Sequence, residues 1–245
     1  MDRCNYYVLV LFNIKMPQLS NNTDSDWLDY RLELFRRYTL RSLLYQTDGS
    51  FRVWMTCLKQ SESVLAPKIE AMREKDPAMD AVDFVFDEAF ACSRLERNPK
   101  PLYFLKLDSD DLYHRNTIMK TKEILDPLDG VSMVMFCDGY IYDIRTKKMM
   151  TFTQWSPPNI AVKYDSGTFD RESFHKYCIC NLTKVRGWYK PIIQNDRMVC
   201  CLDHKMNLHA DPRRNGPERD KRAGQGGFVH QDKVAGILRE FGVEQ

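Results

Sequence analysis

The sequence predicts an α/β fold, a mostly parallel central sheet with helices on both faces. Three observations carry that expectation. Tyr6-Tyr7-Val8-Leu9-Val10-Leu11-Phe12 is almost unbroken in apolar character, as in a strand covered on both sides. Strand-like and helix-like patterns then alternate through the first half of the chain. A second apolar run, Pro101 to Leu107, ends in Asp108, Asp110 and Asp111. A buried strand reads this way when it leaves a sheet edge and presents acids to a ligand.

The first strand stops at Asn13, and Pro17 ends regular structure before a polar loop over 18–26. Leu28, Leu32, Phe35, Leu40, Leu43 and Leu44 then recur at helical spacing. They predict a helix from about Asp26 to Leu44, capped by Asp26 or Ser25. Gln46-Thr47-Asp48-Gly49 is turn chemistry, and Phe51–Cys57 alternates as a second strand. Ser63–Lys75 reads as a helix in which Pro67 is tolerable only near the first turn. Val82–Phe86 suits a short third strand, followed by a helix over Asp87–Arg97 that Asn98-Pro99 closes.

After the acid-tipped strand, Asn116–Leu125 is helical in pattern. Strands are expected at Val131–Cys137, Gly139–Asp143 and Lys148–Gln154. Loops are expected over 155–159 and 165–170, a helix over Arg171–Tyr177, and a late strand over Met198–Leu202. Asp211–Gly227 is rich in Arg, Gly and Pro, with few apolar residues, and reads as a linker or a disordered segment. Val234, Ile237, Leu238 and Phe241 share one face of a final short helix, suited to docking back or to meeting a partner. The expected division is therefore a folded domain over 1–210 and a basic linker with a short helix over 211–245.

At 245 residues the chain is long enough to bury a sizeable core, and 43% hydrophobic with 29% charged residues is ordinary for a globular protein. A formal charge of +2 gives no global electrostatic case for nucleic acid, although Arg213, Arg214, Arg219, Lys221 and Arg222 gather near the C-terminus. No apolar run approaches the ~18–20 residues of a membrane span. The N-terminal run lacks a small-residue cleavage site, so a cytoplasmic location with reduced cysteines is expected. Cys178, Cys180, Cys200, Cys201 and His204 lack the spacing of a structural zinc site, and buried thiols are the better reading.

Three clustered carboxylates repel one another, and a cation relieves that cost. Hard oxygen donors suit Mn²⁺ or Mg²⁺, and an ion with open positions binds a diphosphate. A capping role needs only one acid. Nucleotidyl transfer would use similar acids but favours a Gly-rich phosphate loop, which Asn13-Ile14-Lys15-Met16-Pro17 is not. A non-catalytic nucleotide-sugar-binding module is the third alternative.

Three stretches carry a resemblance. They are Arg31-Leu32-Glu33-Leu34-Phe35 with Tyr38-Thr39-Leu40, Ser42-Leu43, Gln46-Thr47 and Phe51; Leu107-Asp108-Ser109-Asp110-Asp111; and His204-Lys205-Met206-Asn207. The chain resembles GT-A-type glycosyltransferases, and within them the rhamnosyltransferase family, over roughly residues 6–209. The second stretch resembles that family's DxD metal motif. The resemblance implies a GT-A-like fold with a smaller antiparallel acceptor-side hairpin. It further implies metal-dependent transfer of a sugar, rhamnose or another hexose, from a nucleotide-diphosphate donor to a hydroxyl of a glycan or other acceptor. On that basis Asp110, Asp108 and His204 are the expected metal contacts. Phe12, Asn13, Asp108 and Asp111 are the expected donor contacts. An inverting reaction would need a general base, for which Asp196 and then Asp165 are the candidates by placement.

Overall fold

The computed structural model describes residues 5–13, 23–96, 98–154, 159–172, 174, 191–206, 213, 215–219 and 226–244. Among these residues two sheets form, of seven and four strands. The larger has the order β10-β6-β9-β4-β1-β2-β3. Its strands are β1 (Tyr6–Leu11), β2 (Arg52–Thr56), β3 (Val82–Val85), β4 (Leu102–Asp108), β6 (Ser132–Phe136), β9 (Ile160–Tyr164) and β10 (Ile192–Gln194). All neighbours pair in parallel except at β9, which runs antiparallel to both β4 and β6. The α/β expectation holds: the sheet is mostly parallel and helices flank it.

Every residue of β1 is buried, which is why its sequence is apolar without alternation. Val8 and Val10 join one core cluster with α1 (Ser25–Leu34), α2 (Leu40–Leu44), α3 (Glu62–Lys75) and α5 (Thr117–Leu125). Tyr7 and Leu9 face the other way, toward Cys92 and Leu95 of α4 (Glu88–Leu95). Asp24, one residue earlier than expected, caps α1 by accepting the backbone N–H groups of Asp26 and Trp27. Pro67 stands inside α3, because that helix begins at Glu62 and continues a 3₁₀ turn over Lys59–Ser61.

The expected hairpin forms as β7 (Asp138–Asp143) and β8 (Met149–Thr153). It belongs to the smaller sheet, of order β5-β11-β7-β8, with β5 (Asp111–Tyr113) and β11 (Val199–Asp203). One face of this sheet, with Tyr113, Ile141, Phe152 and Val199, meets the main core. The other, with Leu112, Tyr142, Cys200 and Leu202, is covered by Val234, Leu238 and Phe241 of α6 (Gln231–Glu240). The last helix therefore docks back.

Part of the segment expected as a linker is also built in. Gly227 O accepts from Thr151 N at 3.0 Å, and Val229 N donates to Met149 O at 2.9 Å, so the chain lines the outer edge of β8. At Gly226 an added Cβ would lie 1.7 Å from Thr151 O, so only glycine allows that approach.

Candidate functional site

The carboxyl ends of β1 and β4 lie side by side, with Leu11 opposite Asp108. From β1 the chain proceeds to β2 and β3 on one side, and β4 then begins the other. This is the topological switch point, where open α/β sheets bind ligands. The acidic tip emerges there, and its three carboxylates go to three different places.

Asp108 ends β4 and is partly exposed at the sheet edge. Asp111 opens β5, is buried, and accepts from Cys201 Sγ at 3.2 Å inside the smaller sheet. Asp110 turns toward α1. Arg31 holds it with two bonds, Nη1 to Oδ2 at 2.6 Å and Nη2 to Oδ1 at 2.8 Å, while Arg31 Nη2 also reaches Ser109 Oγ at 2.5 Å. His204 Nε2 lies 2.8 Å from Asp110 Oδ2, and its ring is fully buried.

Arg31 is the residue that sequence reasoning left without a role. The signal was present: it shares the buried face of α1 with Trp27, Leu28 and Leu32. An arginine on such a face requires an acid partner. The helix around it is shaped for the loop it holds. A π-helical turn over Phe35–Thr39 separates α1 from α2. In a regular helix Thr39, eight residues beyond Arg31, would be rotated about 80° from it. The wider turn absorbs roughly one residue, which brings Thr39 onto the face of Arg31. Thr39 Oγ1 donates to Ser109 O at 3.0 Å, and Tyr113 N donates to Ser42 Oγ at 3.2 Å. One helix thus clamps the tip at Ser109, Asp110 and Tyr113.

Burial alone would raise the pKa of Asp110. The Arg31 charge beside it, with the hydrogen bond from His204, instead holds the carboxyl well below the usual range. His204 Nδ1 accepts the backbone N–H of Met206 at 3.2 Å, which leaves Nε2 to carry the proton and donate to Asp110. A metal-ligating histidine shows the reverse pattern, with one nitrogen donating so that the other is a free ligand.

This donor set does not fit a resident divalent ion. Both Asp110 oxygens accept from a guanidinium, and His204 presents an N–H. Among the described residues no three His, Cys, Asp or Glu side chains group closely enough to hold a metal. Of the expected trio Asp110, Asp108 and His204, Asp108 stands apart at the end of β4. Asp110 and His204 do meet, but as parts of a hydrogen-bonded charge cluster.

Phe12 is buried edge-on to Trp27, with ring centroids 6.0 Å apart. Asn13 ties the end of β1 to the chain after β2: its Nδ2 donates to Ser61 Oγ at 2.9 Å and its Oδ1 accepts from Leu58 N at 2.9 Å. Its amide is engaged within the protein rather than offered to a ligand. Asp165 follows β9, whose antiparallel course places Tyr164 opposite Leu102 at the amino end of β4. It is therefore about 20 Å from the acidic tip by strand rise. Asp196 precedes β11, at the end opposite His204. It is exposed and lies 3.7 Å from Lys120. Neither carboxylate is brought to Asp110. Cys200 and Cys201 are buried strand residues. Cys178, Cys180, Trp155 and Trp188 lie outside the described residues.

A comparison with curated proteins returns no match. Among solved structures the chain is similar to a mannosyltransferase from Pyrobaculum calidifontis, determined in complex with GDP-Man and Mn²⁺. Sequence identity is 15% and the TM-score 0.39; the likeness covers 85% of this chain and 59% of that one. The chain spans less than two thirds of that protein. Residues 18–179 match the family described as "Putative rhamnosyl transferase". The match takes in Arg31 and the whole acidic tip and stops short of His204. Covering about two thirds of the sequence, it shows that the chain belongs to this family.

Proposed function

We propose that the protein transfers a hexose, rhamnose among the candidates, from a nucleotide-diphosphate donor to an acceptor hydroxyl, with the donor bound across the carboxyl ends of β1 and β4. The observation that carries this reading is the clamped acidic tip at the switch point of a parallel sheet. A buried Arg–Asp–His cluster is costly to assemble, and here it fixes the loop that follows β4. Family membership supplies the reaction class, and the placement supports where the donor lies.

In this reading Asp108 is the carboxylate that faces the ligand. Asp110 and His204 hold Arg31 in place, and Arg31 with Thr39 holds the backbone of the tip. The nucleoside lies toward β1, over the segment that Asn13 anchors. A Mn²⁺ or Mg²⁺ ion, if bound with the donor, supplies positive charge to the leaving diphosphate.

Thermal shifts with UDP, GDP and dTDP, each with and without Mn²⁺, test the proposal. A shift with nucleotide alone means that Arg31 keeps Asp110 in the complex. A shift that requires Mn²⁺ means that Asp110 exchanges Arg31 for the ion. If no combination raises the melting temperature, the reading fails.

A further inference from the structure

Asn159 is fully buried, yet among the described residues neither Oδ1 nor Nδ2 has a hydrogen-bond partner. An amide carries one acceptor and two donors, and burying it unpaired is unfavourable. Such groups in a native fold call for a ligand or a functional reason. The register shows where this one stands. Ala161 lies opposite Leu105 on β4, and Ile160 lies opposite Met135 on β6. Asn159, directly before β9, therefore sits level with Leu107, one residue short of Asp108, and beside the carboxyl end of β6. A second unpaired group is close by in the fold. Gln154 Oε1 is buried without a partner among the described residues, and Gln154 N is bonded to Cys137 O at 2.8 Å, just past the end of β6.

We infer that Asn159 binds the hydroxyls of a sugar ring at the carboxyl edge of the sheet, with Gln154 Oε1 as a neighbouring acceptor. This rests on the glycosyltransferase reading above and deepens it. The chemistry selects the ligand class. Neighbouring ring hydroxyls each donate and accept, so one amide meets two of them with both of its functions satisfied. A phosphate offers only acceptors and would leave Oδ1 unpaired. The position agrees, because Asn159 is on the far side of β4 from β1. A donor whose nucleoside lies at β1 and whose diphosphate crosses β4 carries its sugar to this side. The ring is that of the donor sugar or of a glycan acceptor, and the two are separable by experiment.

The test is Asn159→Leu, which keeps the volume and removes the polar atoms, with Asn159→Ala as a second variant. Melting temperature is measured together with binding of UDP, GDP and dTDP, binding of the matching nucleotide sugars, and acceptor KM. Wild type should bind at least one nucleoside diphosphate. The Leu variant should melt higher than wild type, because an unpaired buried amide has been removed. It should bind the nucleoside diphosphate unchanged and lose about tenfold in affinity for the nucleotide sugar, the loss of one to two hydrogen bonds. A tenfold rise in acceptor KM with donor binding intact assigns the ring to the acceptor. Unchanged nucleotide-sugar affinity and unchanged acceptor KM in both variants overturn the inference. If wild type binds neither nucleoside diphosphates nor nucleotide sugars, the underlying reading falls and takes this one with it.

Discussion

At the scale of single residues, the Arg31–Asp110 pair decides how the site responds to change. Both side chains are almost wholly buried, at 10% and 12% exposure. Removing one partner leaves the other charged in a dry environment, which costs about 3–5 kcal/mol. Asp110→Ala is therefore expected to lose stability as well as turnover, so activity alone would not isolate its chemical role. Arg31→Met paired with Asp110→Leu should cost less than the two single changes added together, by roughly 1–3 kcal/mol of coupling. Urea unfolding of the four proteins checks this, and strict additivity would mean that the two side chains do not act as a unit. Asp108 behaves differently. Being partly exposed at the edge, it should accept Asn with little change in melting temperature and a fall in turnover of at least tenfold. The acidic cluster itself was legible in the sequence, because three carboxylates in four residues are conspicuous. That they diverge was not legible, since it depends on β5 beginning at Asp111 and turning that side chain into a second sheet.

At the scale of elements, the parallel strands and most helices follow from apolar pattern alone, because burial on both faces leaves an unbroken run and burial on one face leaves a period. β9 was missed for a physical reason. Its five residues include Lys163, which is 4% exposed and gives its ammonium to Leu128 O, so the run lacks the apolar continuity of its neighbours. Its reversed direction has no signature in the sequence, and that reversal is what places Asp165 at the amino edge of β4. The docking of α6 has its own testable consequence. His114 packs edge-on to Phe241 at 5.5 Å, and its Nδ1 accepts the Asn116 N–H at 3.2 Å. Burial lowers its pKa below the ordinary 6.5, with Glu240 opposing and Arg115 assisting. A histidine depressed in the fold binds its proton more readily when unfolded. Stability from this group is therefore complete above pH 6.5 and declines as pH falls from there toward its lower folded value. Melting temperatures between pH 7.5 and 5 should drop more in wild type than in His114→Gln, and parallel curves would contradict that.

At the scale of the whole molecule, residues after 225 close the structure rather than trail from it. Val234, Leu238, Phe241 and Val243 are all buried. At about 1.5–3 kcal/mol for each side chain, their loss is comparable with the entire stability of a typical domain. The helix ends with Val243 N bonded to Leu238 O and Gly242 N to Arg239 O, both at 3.0 Å. Gly242 has φ 69°, and a Cβ there would stand 2.7 Å from Tyr45 Cβ, so the cap fits closely against α2. Truncation after residue 225 is expected to lower the melting temperature sharply and to leave β8 as an open edge prone to association. Calorimetry and size-exclusion chromatography of the truncated chain check both effects. Composition suggested a linker here because Arg, Gly and Pro dominate it, while the pairing of Gly227 and Val229 with β8 uses backbone groups that composition does not report.

The reversed strand also sets an order of assembly. β4 and β6 never pair directly; each reaches the other only through β9. Strands β1 to β4 can join as soon as they are made, since they pair with one another within the first 108 residues. The outer edge of β4 then waits open until residue 164 has left the ribosome, at which point β9 enters and β6 and β10 follow. Nascent chains arrested near residue 150 should therefore protect β1, β2 and β4 from hydrogen exchange while β6 remains unprotected. The same insertion delivers Asn159 to the carboxyl edge of the sheet, so that edge is set only once β9 has entered.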